Sequence, residues 1–114
     1  MNISVKSVHF HADSKLVNHV EKKLSRLGRI FDRIVDVEVH LKLQDTGGRV
    51  QEKIAEVRMH VPGGWLMDKK TGKTFESAIN ASAETLRRQL TRYKEKLQGF
   101  TNEKISDADA GPNA

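Results

Sequence analysis

Apolar and polar side chains alternate one for one along the middle of this chain. Val35, Val37, Val39, Leu41 and Leu43 are separated by Asp36, Glu38, His40 and Lys42. A period of two predicts a strand with one buried and one wet face. The pattern recurs where Ala55, Val57, Met59 and Val61 alternate with Glu56, Arg58 and His60. Asp45-Thr46-Gly47-Gly48 turns the chain between these strands. Pro62-Gly63-Gly64 turns it again, and Trp65-Leu66-Met67 begins a short fourth strand. Near the N-terminus Ile3, Val5, Val8 and Phe10 mark a first strand. Its parity changes between Val5 and Val8, which predicts a bulge near Lys6-Ser7.

Two segments follow the helical period instead. Asp13 or Ser14 can cap a helix running to about Leu27, with Gly28 as its stop. Its buried stripe is Leu16, Val20, Leu24 and Leu27, with Val17 at the edge. From about Thr74 to Gln98, Phe75, Ile79, Ser82, Leu86, Leu90, Tyr93 and Leu97 fall in one stripe, and Gly99 ends the helix. The order is therefore β-α-β-β-β-α. An α+β fold follows: a four-stranded, mainly antiparallel sheet with two helices packed on one face. The expected domain spans residues 1–99, and residues 100–114 form a disordered, slightly acidic tail.

Charge sharpens this picture. The 114 residues carry a formal net charge of +5. The tail holds Glu103, Asp107 and Asp109 against Lys104, a net of −2, which leaves +7 on residues 1–99. A basic body suits a polyanionic partner. On the second helix Arg87 and Lys94 flank the apolar stripe on one side, and Arg88, Arg92 and Lys96 on the other. On the first helix Lys15, His19, Lys22 and Arg26 form a basic stripe, with Lys23 at its margin. A charged helix face is commonly no more than a solvated surface, and Glu84–Arg88 and Arg92–Glu95 have the spacing of surface pairs. Against that, Arg87 and Arg88 are adjacent, and Arg92 and Lys96 are like charges four apart. A polyanion would relieve both repulsions.

Other chemistry is poorly supplied. There is no cysteine, which removes disulfides, thiolate metal sites and cysteine nucleophiles. His9 and His11 would share a strand face as a metal pair does, but no third ligand has sensible spacing. No nucleophile elbow, phosphate-binding loop or His-Glu-x-x-His occurs, and the carboxylates are scattered singly, so neither an enzyme, a cofactor nor a resident metal is expected. No apolar run approaches the roughly 20 residues of a membrane span, and Met1–Lys6 lacks the apolar segment of a signal peptide. A soluble, cytoplasmic chain is the expectation, monomeric when free and with no small-molecule substrate. Phe31, Phe75 and Tyr93 have core or helix-edge roles, which leaves Trp65 as the aromatic available to a base. Recognition of an RNA backbone and its shape is favoured over base stacking.

Several segments are similar to a known family. Phe31-Asp32-Arg33-Ile34 with the alternating strand after it resembles the short ribosome hibernation promoting factors and ribosome-associated inhibitors. So does the run from Glu84 to Leu97, with its Arg88-Gln89-Leu90 and spaced basic residues. Val61-Pro62-Gly63-Gly64 resembles that family's strand-ending turn, and Ala78-Ile79 its helix-opening pair. The likeness spans about residues 1–98. It departs at Thr74-Phe75-Glu76 and Asn80, where the family often has Asp-x-Tyr and Asp, and at Thr85, where a basic residue is usual.

The resemblance implies a fold related to the double-stranded-RNA-binding domain. It also implies binding in the mRNA/tRNA channel of the small ribosomal subunit when growth stops. Arg88, Arg92, Lys94 and Lys96 would then contact rRNA, joined by Lys22, Lys23 and Arg26 of the first helix, and by Arg87. Competing readings are a generic double-stranded-RNA module and an adaptor whose basic helices meet an acidic protein.

Overall fold

A computed structural model of the chain describes residues 1–45, 47–48 and 51–106, with side chains described as far as Gln98. Strands β1 (Asn2–Val8), β2 (Asp36–Asp45), β3 (Gln51–Val61) and β4 (Gly64–Gly72) form one sheet in the order β1-β2-β3-β4. Helix α1 (Ser14–Ser25) follows β1, and α2 (Phe75–Ser106) follows β4. β1 runs parallel to β2, and α1 supplies the crossover that a parallel pair requires. The β2–β3 and β3–β4 pairs are antiparallel.

The core lies between the sheet and both helices. Val37, Val39 and Leu41 of β2 and Ala55, Val57, Met59 and Val61 of β3 point into it. Leu16, Val20 and Leu24 of α1 and Phe75, Ile79, Leu86 and Leu90 of α2 meet them. Asp13 caps α1 by accepting a hydrogen bond from the Leu16 amide at 2.8 Å. The opposite face of the sheet is open.

Several expectations are corrected. β1 carries no bulge at Lys6-Ser7, because its pairing with β2 is regular from Asn2 to Val8. The phase changes one step later, at His9, whose φ of 70° turns the chain out of the sheet. Phe10 then stacks on Phe75, ring centroids 4.5 Å apart. His9 and His11 therefore lie beyond the strand and do not share one of its faces. Val35 stands outside β2 and is 49% exposed, because Ile34 and Phe31 already close that end of the core.

Gly28 does not stop α1 with a left-handed turn. The α-helix tightens into a 3₁₀ turn, Arg26–Arg29, which keeps Leu27 buried. β4 is not short: it stays paired to Gly72, since an edge strand pairs through its backbone and needs no further apolar residues. Nor does Gly99 end α2, which passes through it to Ser106. A glycine within a helix costs only about 1 kcal/mol relative to alanine. Of the expected tail, residues 107–114 lie outside the described residues.

Candidate nucleic-acid interface

The amphipathic period of α2 buries one stripe and leaves cations on both of its flanks. Two hydrogen bonds fix where each flank faces. The Gln89 amide donates to the Met67 carbonyl oxygen at 3.3 Å, which seats one flank beside β4. His19 of α1 bonds Asn80 at 2.9 Å, which seats the other flank beside α1. Tyr93 adds an anchor, donating its hydroxyl to the Pro62 carbonyl in the β3–β4 turn.

The eight cations expected from sequence do not form one strip. Arg92 and Lys96 line a groove between α2 and β4 with Leu66, Gln89 and Tyr93, and Arg88 continues their row one turn back. Lys94 faces the other way, into a depression shared with Arg29 and Arg33. Lys22 and Lys23 occupy the last turn of α1, where the helix dipole favours positive charge, and Arg26 caps it. The 3₁₀ turn carries that row on to Arg29. Arg29 and Arg33 escape a reading by periodicity because they lie on a connecting segment, where period says nothing about neighbours.

Ion pairing divides the cations into two classes. On the open face of the sheet three are held by carboxylates: Lys42 and Lys69 by Glu56, at 3.2 and 3.8 Å, and Arg58 by Glu38 at 3.4 Å. Lys6, at the β1 edge, has no carboxylate partner among the described residues. Lys70 is bound to Asp68 at 2.7 Å. Arg87 and Arg88 both reach Glu84, at 2.6 and 3.2 Å. The hydrogen bond from Arg87 is the main reason the Glu84 carboxyl lies below its ordinary pKa, with the charges of Arg87 and Arg88 adding to it against some desolvation. The Arg87 guanidinium is raised in return. The expected Glu84–Arg88 pair is thus present and the Arg92–Glu95 pair is not. The repulsion between Arg87 and Arg88 is relieved within the helix, so their adjacency no longer calls for a polyanion.

Lys22, Lys23, Arg26, Arg29, Arg92, Lys94 and Lys96 differ. Among the described residues none of them has a carboxylate within ion-pair distance. An unpaired surface cation can meet a phosphate without first giving up a carboxylate. All seven belong to α1, the 3₁₀ turn or α2, on the helical side of the molecule.

The open face has other properties. Trp65 is 40% exposed there, but His60 stacks on its ring at 4.4 Å and the Arg58 guanidinium lies 4.5 Å from its centroid. Its ring is already partnered, and it stands across the sheet from the unpaired cations of the helices. Among the described residues no three histidines, aspartates or glutamates gather closely enough to hold a metal. Among the described residues no helix is long and apolar enough to cross a membrane.

Residues 3–98 match the family described as sigma 54 modulation protein / S30EA ribosomal protein. The chain belongs to that family. Within the S30EA family it is similar to the ribosome hibernation promoting factor of Pseudomonas putida, 32% identical over 100 residues, which covers 88% of this chain and 93% of that protein. It superposes on the N-terminal domain of Thermus thermophilus protein Y with a TM-score of 0.72 at 26% identity, covering 82% of this chain and 99% of that one. A ribosomal subunit interface protein from Coxiella burnetii shares the fold, with a TM-score of 0.74 at 20% identity over 83% of this chain and 99% of its own. The stretch matched to the S30EA family contains every unpaired cation named above.

Proposed function

We propose that this chain silences translation by occupancy. It binds the small ribosomal subunit, in the mRNA/tRNA channel, and excludes the ligands of active translation when growth stops. The observation that carries this reading is the group of unpaired cations that α1, the 3₁₀ turn and α2 present together, while Lys42, Lys69 and Arg58 of the open face are neutralised in place. The names of the S30EA relatives, ribosome hibernation promoting factor and ribosomal subunit interface protein, point to the same partner.

No bond is made or broken in this mechanism. Lys22, Lys23, Arg26, Arg92, Lys94 and Lys96 neutralise rRNA phosphates and release their counterions, and Arg87 and Arg88 join once Glu84 yields them. The sheet holds the helices rigidly, so the spacing of the cations selects which phosphates they meet. The protein acts in the cytoplasm, where ribosomes are, and is monomeric when free.

Sucrose-gradient sedimentation of stationary-phase lysate tests this. The protein should travel with small subunits and ribosomes, leave them as salt rises, and bind poorly to subunits preloaded with mRNA and tRNA. Migration with free RNA or with protein complexes alone, or binding indifferent to preloading, would refute occupancy of the channel.

A further inference from the structure

The segment between the 3₁₀ turn and β2 places two arginines against α2. Arg29 closes the 3₁₀ turn, Arg33 comes four residues later, and both line the depression into which Lys94 projects. Arg29 and Arg33 are exposed, and none of the three cations has a carboxylate partner among the described residues. Asp32 lines the same depression without pairing to any of them, so the site carries three positive charges against one negative.

Arg33 is not a freely moving surface side chain. Its guanidinium carbon lies 5.3 Å from the centroid of the Phe31 ring, in cation–π geometry. Phe31 is buried and packs edge-on against Tyr93, centroids 5.5 Å apart and planes at 90°. Tyr93 is in turn bonded to Pro62 in the β3–β4 turn. The guanidinium therefore rests on a ring fixed to both the sheet and α2. A planar fork positioned in advance loses less freedom on binding a phosphate than an ammonium on a mobile stem.

We infer that Arg29, Arg33 and Lys94 form a phosphate-binding notch that takes the backbone of an RNA strand, with Arg33 as its oriented donor. The inference rests on the ribosome-binding reading and adds to it a contact made by a connecting segment rather than by a helix face. The two arginines meet neighbouring phosphates from one side while Lys94 meets them from α2. The strand is thereby clamped at the junction of the two helical elements.

The test uses the full chain and purified ribosomes, with affinity measured by cosedimentation across a potassium chloride series. Arg29→Gln with Arg33→Gln should lower affinity by at least about tenfold and make the salt slope shallower by roughly one to two units. Lys6→Gln with Lys69→Gln on the open face removes the same charge and should do much less. Arg33→Lys keeps the charge but not the planar fork; it should lower affinity severalfold while leaving the salt slope near that of the parent. Unchanged melting temperatures establish that each variant is folded. If the arginine pair leaves affinity and slope at parent values while Arg92→Gln with Lys96→Gln weakens binding, the notch is refuted and the ribosome-binding reading survives. If the arginine pair and the open-face pair cost the same, only net charge matters and the notch is again refuted. If no variant changes binding, both readings fall.

Discussion

His19 on α1 and Asn80 on α2, 61 positions apart in sequence, are joined by a hydrogen bond of 2.9 Å between the imidazole Nε2, which donates, and the amide Oδ1. It ties together the two helices that carry the unpaired cations and thereby helps set the distance between their charged rows. Replacing either residue by alanine should cost about 1 kcal/mol or less, because the bond is exposed. A double-mutant cycle in urea should show a coupling of roughly 0.5–1 kcal/mol. Additive losses would mean that the bond does not hold the helices in solution.

Glu84 holds both Arg87 and Arg88, and on the proposed function it competes with rRNA for them. Glu84→Gln should free both guanidiniums and raise ribosome affinity by about two- to fivefold at low salt, given the modest strength of exposed pairs. A fall in affinity would show that Glu84 serves instead to orient the arginines.

The pH dependence of that pair has a definite sign. The folded Glu84 carboxyl titrates below its ordinary value, so the pair's contribution is complete above the ordinary carboxylate pKa and disappears as pH falls through the lowered one. Around neutral pH it is constant. NMR titration of the Glu84 side-chain carboxyl should give a pKa below that of an unstructured peptide, and Arg87→Gln together with Arg88→Gln should return it to the ordinary range.

Arg92 and Lys96 are unpaired, whereas Arg87 and Arg88 are engaged. Arg92→Gln with Lys96→Gln should therefore weaken ribosome binding more than Arg87→Gln with Arg88→Gln, although both remove two charges. If five to seven phosphates are met in all, log affinity of the parent should fall against log salt with a slope of about −4 to −6. An almost flat dependence would remove the electrostatic basis of binding.

We also propose that residues 1–99 fold independently of residues 100–114. The S30EA family match ends at residue 98, and Asn102–Ala114 contains one large apolar residue, Ile105. Deleting residues 102–114 should move the melting temperature by no more than about 2 °C, the equivalent of a few tenths of a kcal/mol in a domain of this size. A larger fall would show that this segment of the chain supports the core.

Much of the fold was legible because it rests on local periodicity. Val37, Val39 and Leu41 had to share a face if they lay on a strand, and Phe75, Ile79, Ser82, Leu86 and Leu90 had to share a stripe if they lay on a helix. All of them are buried. Where single residues were asked to punctuate the chain, the reading was less secure. Gly28 and Gly99 are compatible with a helix stop but do not compel one, and His9 makes a left-handed turn that no side-chain pattern announces. Ile54, buried on the face opposite the core, breaks the alternation and had no period to reveal it.

The sequence by itself determined the element order, the buried stripes and the surplus of cations beside them, since each depends only on spacing along the backbone. Tertiary structure decided which cations the strands neutralise and which the helices bring together, and helical spacing decided the rest. Pairing across β2, β3 and β4 brings Glu56 to Lys42 and Lys69 and Glu38 to Arg58, and the helical turn gives Glu84 to Arg87 ahead of Arg88. Packing of the 3₁₀ turn and the segment after it against α2 sets Arg29 and Arg33 beside Lys94. Charge is a property of composition, but its neutralisation depends on distances of a few ångströms between residues remote in sequence, and those distances exist only once the strands are in register and the helices are docked.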